Sequence, residues 1–205
     1  MSQETAIAAC VRSTIAQHGL DALELEWRLG HSMGSFRPGV SEEAWERLRR
    51  TLDGSPAFTK GYVETREGIA DGLRRSESET LGTAGASAGV SWVHKKRVAD
   101  FDSAADEGPW GVRASVSVET PHAPAPSFQP RFERHKRRWS YRHDCWSVDL
   151  TRVRGNGPNH LDADSDVYEI EIELGDKEVL FERPLDHIVQ WGRLMASEIC
   201  AMMLG

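Results

Sequence analysis

The sequence predicts an α+β protein: a closed antiparallel β-barrel of about eight strands, forming a tunnel with a polar interior and carrying its helices outside. Three observations lead there. Between Lys60 and Leu174 the chain runs through one candidate strand after another, separated by turn-forming residues. Many of these strands alternate apolar and charged residues with period two, so each has one apolar and one charged face. The charged faces segregate by sign, two acidic and several basic, where solvated faces usually mix signs. Eight strands can close into a barrel. Inward polar faces would then bring acids and bases into one wet tunnel, and outward apolar faces would need helices to cover them.

The elements follow in order. Residues 3 to about 18 read as an amphipathic helix stopped by Gly19. Residues 21–30 form the first strand, with Leu23, Leu25, Trp27 and Leu29 against Glu24, Glu26 and Arg28. Residues 41–52 read as a helix of about three turns, with Ser41 as N-cap and acids just after it. Strands are expected at 60–68, 71–80, 90–101, 110–120, 132–143, 145–153 and 166–175. A Gly/Ala/Ser turn (82–89), an acidic turn (102–109), the Pro-rich "PHAPAPSFQP" and the polar "GNGPNHLDADSD" separate them. Residues 185–204 read as a closing amphipathic helix. Residues 1–205 are expected to be one domain, since neither an internal repeat nor a long linker divides them.

Composition narrows the function. With 32 acidic and 25 basic residues the net charge is −7, which argues against a broad nucleic-acid-coating surface and leaves room for a local basic site. No apolar run approaches the length of a membrane span, and no signal peptide is read at the start. Three cysteines without metal-ligand spacing suggest free thiols in a reducing, intracellular compartment.

In "VYEIEIEL", Glu169, Glu171 and Glu173 line one face. Like charges so arranged repel, and Glu is a poor strand former. "RHKRRWSYRH" sets Arg134, Lys136 and Arg138 on one face, "VHKKRV" sets Lys95 and Arg97 together, and "GLRRSE" offers Arg74. For any single strand a solvated face is the commoner arrangement; the segregation across strands favours a shared interior. Such an interior suits a hard divalent cation held by carboxylates, with Arg and Lys rows binding phosphate oxygens. Arg28, Glu169 and Arg97 share the inward phase and read equally well as structural. Arg142 and His143 read as surface, and Trp191, Met195 and Met202 as core.

"ELEWRLG", "RFERHKRRWSYRHDCWSVDLTRV" and "YEIEIEL" resemble the metal-dependent RNA 5′-triphosphatases of the mRNA capping apparatus, which belong to the triphosphate tunnel metalloenzymes. Two E-x-E strands with an R-x-K-x-R strand between them are a specific signal. The resemblance implies Mg²⁺ or Mn²⁺ on Glu24, Glu26 and Glu173, with Glu171 holding the metal's water or a neighbouring cation. It implies phosphate contacts from Arg134, Lys136, Arg138, Arg74 and Lys95, and Glu119 orienting the attacking water. Glu119, Glu171, Lys136 and Arg138 would form the catalytic set, with Asp149 bracing the basic row. The family carries an Arg two positions before that Asp; Ser147 stands there, with Arg152 or Arg113 as substitutes.

The implied reaction removes the γ-phosphate from the 5′-triphosphate end of nascent mRNA, before guanylylation. No K-x-D-G signature is present, so a guanylyltransferase is expected on another chain or in a part absent here. A nuclear or viral-replication setting follows, with a homodimer among the candidate assemblies. Three rivals stand: a small-triphosphate hydrolase of the same fold, whose first strand usually reads E-x-E-x-K, a non-catalytic polyphosphate or RNA-end binding module, and an acidic barrel with a structural ion.

Overall fold

The computed structural model describes residues 2–79, 89–104, 109–156 and 165–204. Its elements are α1 (Gln3–His18), β1 (Leu23–Met33), β2 (Ser35–Pro38), α2 (Glu42–Gly54), β3 (Thr59–Ala70), β4 (Leu73–Glu79) and β5 (Gly89–Ala104). They continue with β6 (Gly111–Pro121), β7 (Phe132–His143), β8 (Trp146–Gly155), β9 (Val167–Leu174), α3 (Val179–Glu182) and α4 (Leu185–Leu204). The strands follow the order β2-β1-β6-β5-β4-β3-β7-β8-β9, and β9 pairs back onto β1. Eight antiparallel strands therefore close a barrel, with β2 added outside the ring beside β1.

The alternation read in β1 is real, but both faces are buried. Leu23, Leu25, Trp27 and Leu29 face outward into a core under the helices, while Glu24 and Glu26 face inward and are buried as well. β9 follows the same rule: Ile170, Ile172 and Leu174 lie in the core, and Glu169 and Glu171 are buried inside. Each buried leucine removed from water contributes about 1.5–3 kcal/mol, so the outer core can carry the cost of a charged interior. α1 packs on β1, β5 and β6, α2 on β9, and α4 on β1 and β9. Trp27 meets Trp146 edge-on at 5.3 Å between ring centroids. Gly192 of α4 sits over the Trp27 ring, where a Cβ would come within 2.6 Å.

The helix caps are those expected: Ser41 Oγ accepts from the Ala44 backbone N–H, and Gly19 ends α1 at a φ of 85°. Three readings change. Asp71 and Gly72, taken as strand, both have positive φ and form a two-residue hairpin turn between β3 and β4, the conformation Asp-Gly favours. β5 continues through Asp102 to Ala104, pairing with Arg113, Val112 and Gly111, so the first residues of the expected acidic turn are strand and 105–108 lie outside the described residues. The short β2 and α3 were not foreseen. The turn at 82–88 and most of the polar stretch 155–166 lie outside the described residues.

Candidate active site

A cavity of about 460 Å³ runs inside the barrel, lined by Glu24, Glu26, Glu67, Lys136, Arg138 and Glu173 among others. Strand register builds it. β1 and β9 are neighbours, with Glu26 opposite Glu173 and Arg28 opposite Glu171, so the two E-x-E segments lie side by side. β8 follows, setting Asp149 opposite Glu171. β7 comes next and turns Arg134, Lys136 and Arg138 inward. Arg74 of β4, Lys95 of β5 and Glu119 of β6 complete the lining. The sequence-derived metal, phosphate and water-orienting candidates thus share one tunnel.

Ion pairs organise the charges. Arg138 bridges Asp149 through Nη1 at 3.0 Å and Glu171 through Nη2 at 3.2 Å. Arg28 Nη2 lies 3.1 Å from Glu26 and 2.9 Å from Glu171. Arg97 Nη1 stands 3.1 Å from Glu26. Lys95 pairs with Glu24 and lies 3.2 Å from Glu119. Arg28 and Arg97 are therefore parts of the charge network, and Glu169 lines the cavity. Asp149 is braced by Arg138 and by the Ser147 hydroxyl, which donates at 2.7 Å. Neither suggested substitute reaches it: Arg113 binds Asp102, with Nε donating at 2.6 Å, and Arg152 binds Asp166. Ser147 itself replaces the missing arginine as a partner.

One charged tunnel residue was missed, besides the apolar Ile69 and Phe132. Glu67 of β3 accepts from Arg134 Nε at 3.0 Å and stands 3.3 Å from Lys136 Nζ and 3.9 Å from Arg74. It is the acid that holds the basic wall together. Its signal was its register against β7, where it faces Arg134; as the one acid on the inward phase of its strand, out of phase with Glu64, it made no motif.

The carboxylates split into two kinds. Burial would raise Glu171, but Arg28, Arg138 and Lys136 hold it well below the usual carboxylate range. Glu26 is also lowered against its burial, by Arg28 and Lys95. Glu24 is pushed up to about 8 by burial and by Glu26, which together outweigh the facing Lys95. Glu173 rises to about 7 through burial, Asp149 and Glu171. Lys95 Nζ donates a hydrogen bond to Glu24 Oε1 and forms an ion pair with Oε2, while Ser117 Oγ on the neighbouring strand is buried without a hydrogen bond. Among the described residues no three acidic, His or Cys side chains already converge as a metal cage. Glu24, Glu26 and Glu173, two of them pushed up for want of counter-charge, supply the all-oxygen chemistry suited to a hard divalent cation.

A family model described as mRNA capping enzyme, beta chain, matches residues 29–186. The chain belongs to that family. Its capping-enzyme relatives include a 5′ RNA triphosphatase of Paramecium bursaria Chlorella virus 1, 32% identical over 187 residues, covering 89% of this chain and 90% of the relative. An mRNA-capping enzyme subunit beta of Cryptococcus neoformans is 31% identical over 121 residues, but the match spans 54% of this chain and 30% of that subunit. The S. pombe Pct1 RNA triphosphatase structure superposes with a TM-score of 0.74 at 19% identity, over 97% of this chain and 92% of its own. That likeness shows a shared fold.

Proposed function

We propose that this chain is an RNA 5′-triphosphatase, removing the γ-phosphate of an mRNA 5′-triphosphate end in the first step of cap formation. The observation that carries the reading is the tunnel of a capping-enzyme family member in which paired E-x-E strands and an Arg-Lys-Arg strand, one strand apart across β8, turn their charges into the same interior. A relative named for the same activity matches nearly the whole chain.

Arg134, Lys136 and Arg138 bind and orient the phosphate oxygens, supported by Arg74 and Lys95. Burial and the Arg134 charge press the Lys136 ammonium down to about 8, so an entering polyphosphate strengthens its charge. Glu119, half-exposed and 3.2 Å from Lys95, orients water toward the γ-phosphorus. The bond from that phosphorus to the β–γ bridging oxygen breaks, giving inorganic phosphate and a diphosphate end. Arg138 stabilises charge on the departing oxygen. Glu24, Glu26 and Glu173 would hold Mg²⁺ or Mn²⁺, which supplies Lewis-acid polarisation of the γ-phosphate; Glu171 keeps Arg28 and Arg138 in place.

Cap formation requires guanylyl transfer to the diphosphate end, so a guanylyltransferase is the expected partner, in a nucleus or viral replication compartment. Among the described residues no helix is long and apolar enough to cross a membrane. The test is turnover of RNA labelled in the γ- or β-phosphate, with Mg²⁺ or Mn²⁺ and with EDTA. Metal-dependent release of labelled γ-phosphate, with the β-label kept on the RNA, is expected. Pyrophosphate release, or full activity in EDTA, would overturn the reading.

A further inference from the structure

A second cavity, about 750 Å³, lies on the outside of the barrel, and no residue of the described helices lines it. Its floor is the outer face of β3, β4 and β7, and its wall is the Pro-rich segment between β6 and β7. That segment is pinned at both ends: the His122 backbone N–H donates to Trp92 O at 2.8 Å and the Arg131 N–H to Ile69 O at 2.9 Å. Gly68 lets it lie close, since a Cβ there would stand 3.1 Å from Pro130 and 3.2 Å from Phe128. Trp92 and Phe128 meet edge-on at 5.2 Å, making an aromatic corner.

Two observations tie this cleft to the tunnel. Glu67 and Arg134 line both cavities, so the two adjoin at the head of the basic strand. The cleft is also cationic where the other tunnel mouth is not. Arg66, Arg75, Arg134 and Arg154 stand in the cleft against Glu67, Glu77 and Glu133. Among the described residues Arg66 is exposed and forms no ion pair. The opposite mouth, beside Arg138 and Glu173, carries Asp144, Asp149 and Asp176 against Arg138 and Arg142. A polyanion trailing from the tunnel is repelled there and attracted at the cleft.

We infer that the cleft bordered by Trp92, Phe128 and Arg66 takes the 5′-terminal nucleoside and the next nucleotides of the RNA whose triphosphate occupies the tunnel. The inference rests on the triphosphatase reading and deepens it by giving the substrate a direction. The γ-phosphate points toward Glu24 and Glu173, the α-phosphate toward Arg134, and the first bases stack on the aromatic corner. Stacking on an aromatic ring is tolerant of base identity, as capping of many transcripts requires. Arg66 and Arg75 are placed for the following phosphates. The cleft volume lies in the usual range of roughly 300–1,000 Å³ for a ligand site. An acidic protein can thus hold RNA locally without coating itself in it.

The test compares kcat/KM for a short 5′-triphosphate oligoribonucleotide with that for inorganic tripolyphosphate, which has nothing to place in the cleft. Trp92→Ala and Arg66→Glu are expected to lower the RNA-to-tripolyphosphate ratio on the order of tenfold, through KM for RNA. Arg66→Glu should also flatten the salt dependence of RNA binding, by about 0.7 in log–log slope for each single-strand phosphate it no longer neutralises. An unchanged ratio in both variants overturns the inference and leaves the cleft to another occupant, such as a peptide. If the wild type turns over neither substrate, the hydrolase reading fails on its own account. The cleft is then judged by anisotropy of labelled RNA lacking a triphosphate: weakening by both variants supports it, and unchanged binding overturns it.

Discussion

Glu67 shows how one side chain can hold a cationic wall. Alone, Arg134, Lys136 and Arg74 would repel one another beside β3; with a buried carboxylate between them they form a preset phosphate cradle. Burial by itself would raise the Glu67 carboxyl, yet those three cations bring it down to about 2. Its folded value lies below the unfolded value near 4.5. The stability it contributes is therefore complete above about pH 4.5 and is lost as pH falls toward 2, a contribution on the order of 3 kcal/mol. Glu67→Gln should lower the urea midpoint at neutral pH by a similar free energy, because it leaves buried cations uncompensated. It should also flatten the acid limb of the stability curve, and an acid limb identical to wild type would assign that sensitivity elsewhere. Glu24→Ala, Glu26→Ala and Glu173→Ala should each cut phosphate release on the order of a hundredfold or more, while Glu42→Ala, on the exposed helix surface, should leave it unchanged. The acids in E-x-E pairs could be read from sequence because the pair is itself a pattern. Glu67 could not, since its meaning depends on which strand lies beside it.

β7 carries the basic row on one phase and unrelated contacts on the other. Arg138 uses two different nitrogens for Asp149 and Glu171, a fork that an ammonium cannot reproduce. Arg138→Lys should therefore restore only part of the activity lost in Arg138→Ala; full rescue would mean that charge alone matters there. Arg137, one residue away, faces outward to Glu64 at 3.5 Å. Exposed pairs of that kind contribute little, so Arg137→Ala should keep turnover within about twofold, and a collapse would invert the assigned register. Outside the barrel, the fit of α4 depends on a residue with no side chain. Gly192→Val would drive atoms into the Trp27 ring, whose strand carries Glu24 and Glu26, and should cost about 1–3 kcal/mol by overpacking, read as a lower melting temperature. Strand phase was readable in β1 and β9 because period-two alternation runs from Leu23 to Leu29 and from Tyr168 to Leu174, whereas in β7 His135 and Arg137 fill the other phase and the row rested on the R-x-K-x-R pattern. Strand ends were less so: Asp71 and Asp102 are polar residues that suit a turn or an inward-facing strand end, and only pairing partners separate the two.

At the scale of the whole barrel, closure was expected but the order of strands around the ring was not, because alternation fixes which residues face inward without fixing which strands become neighbours. Here the ring closes where β9 meets β1, over only three register pairs from Glu26–Glu173 to Arg28–Glu171, whereas β8 and β9 share pairs all along from Trp146 to Val153. The shortest joint in the ring thus sets two acids, Glu26 and Glu173, face to face. Arg28 compensates Glu26 and Glu171 across it, but Glu24 and Glu173, pushed up to about 8 and about 7, remain without an adequate counter-charge. A divalent cation bound by Glu24, Glu26 and Glu173 would tie β1 to β9 at that joint and stabilise the folded chain by mass action, about 2.7 kcal/mol at a hundredfold excess over its dissociation constant. Hydrogen exchange can read this without any turnover. Adding Mg²⁺ or Mn²⁺ should slow exchange of the β9 and β1 amides more than those of β3 and β4, which lie across the ring, and should raise the melting temperature. Glu173→Ala should abolish both effects while the protein stays folded, since removing one carboxylate relieves repulsion at the joint. Protection spread evenly over all eight strands, or protection that persists in Glu173→Ala, would place the cation elsewhere and separate the acidic pairs from metal binding.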